Sequence, residues 1–210
     1  MTSVLDFARG PGLHWALIIL VFGFFWRLAN FVTRGSERDL YWARKGFHPP
    51  AQRWHLDSYA MHAGLIIATL GFVPHILLVR ELTGISWPGL PIAVVLFAGV
   101  VTIVAMLSLL AYRFSAREPS AFSAFDDYFS WIVVFAAVVT GMLAYPHVGG
   151  AALTAPYRAL LSAHLLSVEL LFVWLPFGKL AHLALMPLGV AAVRGGRILR
   201  QFAGRKSAHT

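Results

Sequence analysis

The chain has 210 residues, of which 59% are hydrophobic and 12% charged, and its net charge is +8. Soluble domains carry about 25% charged residues, so this composition excludes an ordinary water-exposed surface and favours a bilayer as the solvent. The absence of cysteine excludes disulfides, cysteine-linked cofactors and iron–sulfur clusters on this chain, and leaves nine histidines as the strong metal ligands.

Five segments are long and apolar enough to cross a bilayer, which requires roughly 20 residues. They are Leu13–Val32, Leu56–Val79, Pro88–Ala111, Tyr128–Tyr145 and Tyr157–Val193. Pro176 lies inside the last and longest segment, and its missing N–H predicts a bend near Phe172. The sequence therefore predicts a single all-α membrane domain over residues 1–210, with five transmembrane helices.

Basic residues are concentrated in alternate connections between these segments. The first loop, the third loop and the C-terminal tail hold Arg27, Arg34, Arg38, Arg44, Lys45, Arg53, Arg113, Arg117, Arg194, Arg197, Arg200, Arg205 and Lys206. The opposite side holds only Arg9, Arg80 and Arg158. The positive-inside rule then places the N-terminus outside and the C-terminus in the cytoplasm. This topological role accounts for the basic charge without nucleic-acid binding.

Four histidines fall within the predicted spans, His62 and His75 in the second and His164 and His182 in the fifth. An ionisable residue at membrane depth is costly and indicates a functional site, although one such histidine is explained as well by a neutral, hydrogen-bonded ring. His164 and His182 are eighteen residues apart, which on a straight helix puts them on one face about 27 Å apart. Because the second and fifth spans are antiparallel, His62 is expected at the depth of His182, and His75 at the depth of His164. Each facing pair could hold an iron from both sides.

The second span fits this arrangement less simply. His62 and His75 are thirteen residues apart, a rotation of about 220°, so they do not share a face on a straight helix. Gly71 and Pro74 can change the local winding. His55, seven residues before His62, is an alternative ligand for the inner site, and a purely structural His75 would leave one site only. Small residues such as Gly64 either make room for a cofactor or serve ordinary helix packing.

These residues resemble a known family. Pro176-Phe177-Gly178-Lys179-Leu180 followed by His182, with His164 eighteen residues earlier, resembles the fifth helix of the respiratory nitrate reductase gamma subunit. Met61–Gly64 with Gly71 resembles the second helix of that family, where a histidine follows the glycine directly and this chain has Phe72. Phe125-Asp126-Asp127, with Thr140-Gly141 later, is similar to the membrane cytochromes of sulfite-reductase-associated and heterodisulfide-reductase complexes.

The resemblance implies a diheme cytochrome b that anchors a respiratory oxidoreductase complex in a bacterial or archaeal cytoplasmic membrane. Such an electron-transfer subunit has no terminal catalytic centre of its own. It would oxidise quinol or menaquinol from the membrane pool near the outer face and pass electrons to a cytoplasmic iron–sulfur partner subunit. His62 and His182 would bind the inner heme b, and His164, with His75 as its candidate partner, the outer heme b. The departure at Phe72 points to a divergent relative with another partner.

Other polar residues have two explanations each. Arg27 and Lys179 are candidates for binding heme propionates, or they extend to the membrane interface. Glu169 is a candidate proton acceptor for quinol oxidation, or a neutral carboxyl bonded between helices, and Arg80 and Glu81 lie near the expected quinol site. Two rival functions stay open: electron flow in the reverse direction, reducing quinone, and a hemeless anchor or transporter whose histidines bind a divalent metal.

Overall fold

A computed structural model of the chain describes residues 3–34, 53–115, 125–145 and 155–182, and every regular element within these ranges is a helix. The α-helices are α1 (Val4–Phe7), α2 (Leu13–Arg34), α3 (Arg53–Gly71), α4 (Val73–Thr83), α5 (Ile92–Ser115), α6 (Phe125–Leu143) and α7 (Ala155–Trp174). A π-helical turn, Ala8–Gly12, joins α1 to α2, and a 3-10 turn, Lys179–Ala181, follows α7. The all-α class is therefore confirmed for the part of the chain that the structure describes.

Four helical stretches are long and apolar enough to cross a membrane, namely Val4–Asn30, Ile92–Ser115, Phe125–Leu143 and Tyr157–Trp174. A fifth is added if Leu56–Gly71 and Val73–Thr83, which are bent by 64° relative to each other, count as one span. Large apolar side chains such as Phe22 and Phe97 are each 70% exposed, which suits lipid rather than water. The helices thus have the transmembrane character that the composition predicts. The basic segments 35–52 and 183–210, and the predicted last eleven residues of the fifth span, lie outside the described residues.

The described residues form two compact units. The larger consists of residues 3–13, 53–115, 125–145 and 155–171, and the smaller of residues 14–34 and 172–182. His75, His164 and Glu169 belong to the larger unit, whereas Arg27, Lys179 and His182 belong to the smaller.

Helix α5 is the packing centre of the larger unit. Gly64 of α3 lies so close to α5 that an added Cβ would be 2.8 Å from the carbonyl oxygen of Ala98, so this glycine serves close helix packing. The hydroxyl of Ser108 donates to the Asp57 carboxylate at 2.5 Å, and the Trp131 indole donates to the Met106 carbonyl at 3.1 Å. Small residues and side-chain hydrogen bonds are the expected means of joining helices in lipid.

The second span is broken at Phe72, where the backbone is extended (φ −81°, ψ 121°). Pro74 has no N–H, so the Leu70 carbonyl loses its helical donor and must find another, because an unpaired carbonyl at membrane depth is costly. The Trp87 indole N–H donates to Leu70 at 2.7 Å, and the Leu90 N–H donates to Gly71 at 2.9 Å. The connection after α4 thus folds back and supplies hydrogen-bond donors to the last carbonyl groups of α3.

The end of α7 differs from the sequence-based expectation. The helix runs past Phe172 and ends at Trp174, whose carbonyl accepts bonds from the N–H groups of Phe177 and Gly178, both at 3.0 Å. The last carbonyls of any helix lack intrahelical donors, so the donor missing at Pro176 moves the helix end rather than bending its interior. Residues 175–178 are turns and a bend, so five straight turns between His164 and His182 do not exist. In the smaller unit, Pro176 packs on Gly23, where an added Cβ would lie 2.5 Å from its Cγ.

Replacing Trp87 by Phe should lower the free energy of unfolding by about 1–3 kcal/mol, because the Leu70 carbonyl loses its donor while the ring is retained. Thermal unfolding of the detergent-solubilised protein measures the loss. Trp15→Phe is the matched control, since that side chain is 64% exposed. Equal stability of the two variants would show that the hydrogen bond from the Trp87 indole to the Leu70 carbonyl does not stabilise the broken second span.

Candidate histidine-ligated cofactor site

The imidazole rings of His75 and His164 lie side by side within the larger unit. Their centroids are 6.1 Å apart, and the ring planes are inclined by 24°. His75 is on the first turn of α4, directly after the break, and His164 is in the middle of α7. His75 and His164, which the sequence pairs at one depth, are therefore neighbours in the structure, next to the altered winding at Phe72.

The break in the second span also orients the His75 ring. Its Nδ1 lies 3.1 Å from the carbonyl oxygen of Thr69, near the end of α3, where the interruption of the helix frees carbonyls. The Phe72 ring meets the imidazole edge-on at 5.2 Å, and Tyr145 meets Phe72 at 6.1 Å. The His75 ring thus lies between the Thr69 carbonyl, which accepts its hydrogen bond, and the Phe72 ring.

Helix α6 forms the support for His164. The Nδ1 atom lies 3.0 Å from the Ala137 carbonyl oxygen, and an added Cβ at Gly141 would lie only 2.9 Å from the ring Cε1. The Thr140 hydroxyl is 3.2 Å from the hydroxyl of Ser167, which donates to the His164 carbonyl at 2.7 Å. The ring therefore packs against Gly141 and is bonded to α6 through the Ala137 carbonyl.

The hydrogen bonds define the tautomer of each ring. A carbonyl oxygen only accepts, so Nδ1 of His75 and of His164 carries the hydrogen and Nε2 carries the lone pair that binds a metal. His62 and His182 have the same arrangement, with Nδ1 at 2.7 Å from the Ser58 carbonyl and at 2.9 Å from the Lys179 carbonyl. Metal-binding histidines characteristically have such a partner on the second nitrogen.

The predicted inner pair is divided between the two units. His62 lies on α3 in the larger unit and is exposed, and His182 follows the 3-10 turn in the smaller unit and is also exposed. Their pairing stays a prediction. The backbone of His55 belongs to the first turn of α3, and its side chain lies outside the described residues.

His75 and His164 bring two imidazole donors together at one place in the larger unit. Within the described ranges, no group of three or more His, Cys, Asp or Glu side chains is placed to hold a bare metal ion. A heme iron would need two protein ligands. Two imidazoles bonded to one iron through Nε2, at about 2 Å each, have centroids roughly 6 Å apart, which the His75–His164 separation matches.

The remaining predicted site residues are distributed as follows. Arg27 and Lys179 are half-buried, on α2 and in the 3-10 turn of the smaller unit. Arg80 and Glu81 are exposed near the end of α4, and Glu169 is buried on α7. Arg113 lies 3.8 Å from Asp127 and over the Tyr128 ring, so it joins α5 to α6.

Gly12 contacts Glu169, a predicted site residue, and the sequence did not indicate this contact. It lies in the π-helical turn, and the Glu169 carboxyl packs directly on it. Pro11 beside it was the available signal, because a proline early in an apolar helix disturbs the backbone bonding. The sequence gives no measure of how a wide turn would fit against α7.

A bacterial protein is similar to part of this chain. A protein of Nitratidesulfovibrio vulgaris, described simply as a protein, is 31% identical over 127 residues, which cover 60% of this chain and 54% of that relative. The match therefore spans about half the length of the relative. No family model and no solved structure matches the chain. The likeness to the nitrate reductase gamma family stays a resemblance in the residues quoted above.

Gly141→Ala should reduce stability by about 1–2 kcal/mol, because the new methyl displaces the His164 ring and stretches its bond to Ala137. Thermal unfolding in detergent reports the change. Gly10→Ala introduces the same methyl where nothing lies within 4 Å, and alanine is the better helix former, so its stability should be unchanged or higher. A loss of similar size in both variants would contradict a specific contact with the ring.

Proposed function

We propose that the chain is the membrane-anchoring diheme cytochrome b subunit of a respiratory oxidoreductase complex. The observation that carries the proposal is the His75–His164 pair, with centroids 6.1 Å apart and both Nδ1 atoms bonded to backbone carbonyls. These two residues would hold the outer heme b. His62 and His182 would hold the inner one, with the same Nδ1 arrangement in support.

A heme held by two imidazoles would have no position free for oxygen, so the chemistry it would supply here is one-electron transfer. The chain contributes what such a group requires. Helices α4 and α7 set the distance between the rings, the carbonyls of Thr69 and Ala137 set their tautomers, and Gly141 gives the His164 ring room against α6. Arg27 and Lys179 are the proposed partners of heme propionates.

The membrane arrangement is part of the proposal. The bent pair α3 and α4 counts as one span, which gives five spans, with the N-terminus outside and the C-terminus in the cytoplasm of a bacterial or archaeal cell. Quinol or menaquinol is oxidised near the outer face, and electrons leave to a cytoplasmic iron–sulfur subunit that docks on the basic inner segments. The family resemblance supports this direction of flow, and the two midpoint potentials relative to that of the quinone would decide it.

The histidine pairs are tested by counting hemes. The purified wild type, expressed with adequate heme supply, should bind about two hemes b per chain by the pyridine hemochrome method. His75→Ala and His164→Ala should each retain about one, because removing either ligand opens the same iron. His14→Ala is the matched control, since His14 is an exposed histidine on α2 and should leave both hemes in place.

Other results identify the rivals. A wild type without heme would overturn the cytochrome and leave the hemeless anchor or transporter. A wild type with one heme that survives His75→Ala would assign His75 a structural role and remove the outer pair. If the wild type binds one heme, and both His75→Ala and His164→Ala lose it, the outer heme site stays in the proposal and the inner heme site is removed from it.

The ring geometry predicts a spectroscopic signature. Nearly parallel imidazole planes on a ferric heme give a rhombic low-spin EPR signal, whereas nearly perpendicular planes give a highly anisotropic one. The inclination of 24° between His75 and His164 therefore predicts a rhombic signal that disappears in His164→Ala and persists in His14→Ala. If only highly anisotropic signals are found in the wild type, these two rings do not share an iron in this orientation.

A further inference from the structure

Glu169 is a buried carboxyl that the histidine site does not use. Its side chain is 8% exposed, and Oε1 is buried without a hydrogen-bond partner in the part of the chain that the structure describes. A buried polar atom without a partner is destabilising, so its presence needs a reason. An acidic residue at membrane depth adds to that cost and indicates a functional site.

The Glu169 carboxyl packs against Gly12. A Cβ added there would lie 2.6 Å from Oε2 and 2.9 Å from Oε1 of Glu169, so a side chain at residue 12 would occupy the place where the carboxyl now packs. Gly12 ends the π-helical turn Ala8–Gly12, which contains Pro11. Such turns are rare and occur often at functional sites. The unpartnered carboxyl and the π turn are independent features that meet at one place.

Glu169 and His164 project from different sides of α7. Five residues separate them, which is a rotation of about 140° and a rise of about 7.5 Å. The His164 ring contacts α6 and approaches His75, whereas the Glu169 carboxyl lies on the N-terminal segment at Gly12. One helix thus presents a proposed heme ligand and a buried acid within one and a half turns.

We infer that Glu169 is the proton acceptor for quinol oxidation, at a site that it forms with Gly12; this role rests on the proposed function. A quinol hydroxyl supplies the hydrogen-bond donor that Oε1 lacks. When the O–H bond breaks, that proton would pass to the ionised Glu169 carboxylate and the second proton to water, and the two electrons would pass one at a time to the hemes that the histidines would hold. Arg80 and Glu81, the other candidates for this site, are both exposed near the end of α4 and have no comparable burial.

The test compares Glu169→Gln with the wild type by stopped-flow reduction of the bound hemes, using a reduced short-chain naphthoquinol as donor. The variant should be reduced at least tenfold more slowly, while heme content, thermal stability and reduction by dithionite are unchanged. Infrared difference spectra on quinol addition should show a protonated-carboxyl band in the wild type that Glu169→Gln lacks. Asp6→Asn makes the same change at an exposed carboxyl of the N-terminal segment and should behave as wild type.

Equal reduction rates in Glu169→Gln and the wild type, or an infrared band that survives the substitution, would overturn the role of Glu169 and leave the cytochrome intact. A wild type that dithionite reduces but quinol does not would overturn both this role and the proposed direction of flow. If Glu169→Gln does not accumulate, Glu169→Asp decides the matter. That variant keeps a carboxyl at a shorter reach, so slowed reduction with a shifted band supports the inference, and unchanged rate and band overturn it.

Discussion

The need to pair every backbone carbonyl at membrane depth determines how the second span is built. Pro74 removes one helical donor, and the extended backbone at Phe72 interrupts the bonding around it. The carbonyls of Thr69, Leu70 and Gly71 then find donors in the His75 ring, the Trp87 indole and the Leu90 N–H. One of these three donors is itself the proposed ligand. The break in the helix therefore sets the orientation of His75, and the loop after α4 stabilises the break.

The sequence predicted the helical class and the approximate positions of the spans, because apolar length is a direct consequence of bilayer thickness. Gly71 and Pro74 also marked where the second span changes its winding. The role of Trp87 was not predictable, since an aromatic residue near a span end is equally well placed at the membrane interface. Its bond to Leu70 joins residues seventeen apart and depends on the path of the loop. The end of α7 at Trp174, rather than a bend near Phe172, depends on where the last carbonyls find donors.

For the candidate site, the histidines were recognisable as a set, but periodicity alone separated His62 from His75. Periodicity assumes a continuous helix, and neither histidine-bearing span is continuous between its two histidines. The contact of His164 with Gly141 could be expected only in outline, from a glycine on a neighbouring span. The spacing of residues along the sequence did not indicate the contact between Glu169 and Gly12. It depends on the width of one irregular turn and on the face that α7 turns toward it.

The π-helical turn at Ala8–Gly12 also bears on how this helix could have arisen. Such a turn holds one residue more than the α-helical turn it replaces, so it has the form of a single-residue insertion. An insertion rotates everything before it by about 100° relative to everything after it. Without the extra residue, a different residue would face α7, and every residue except glycine carries a Cβ. Inserting a single residue in this turn could thus place Gly12 opposite Glu169 and make space for that carboxyl, without altering the rest of the bundle.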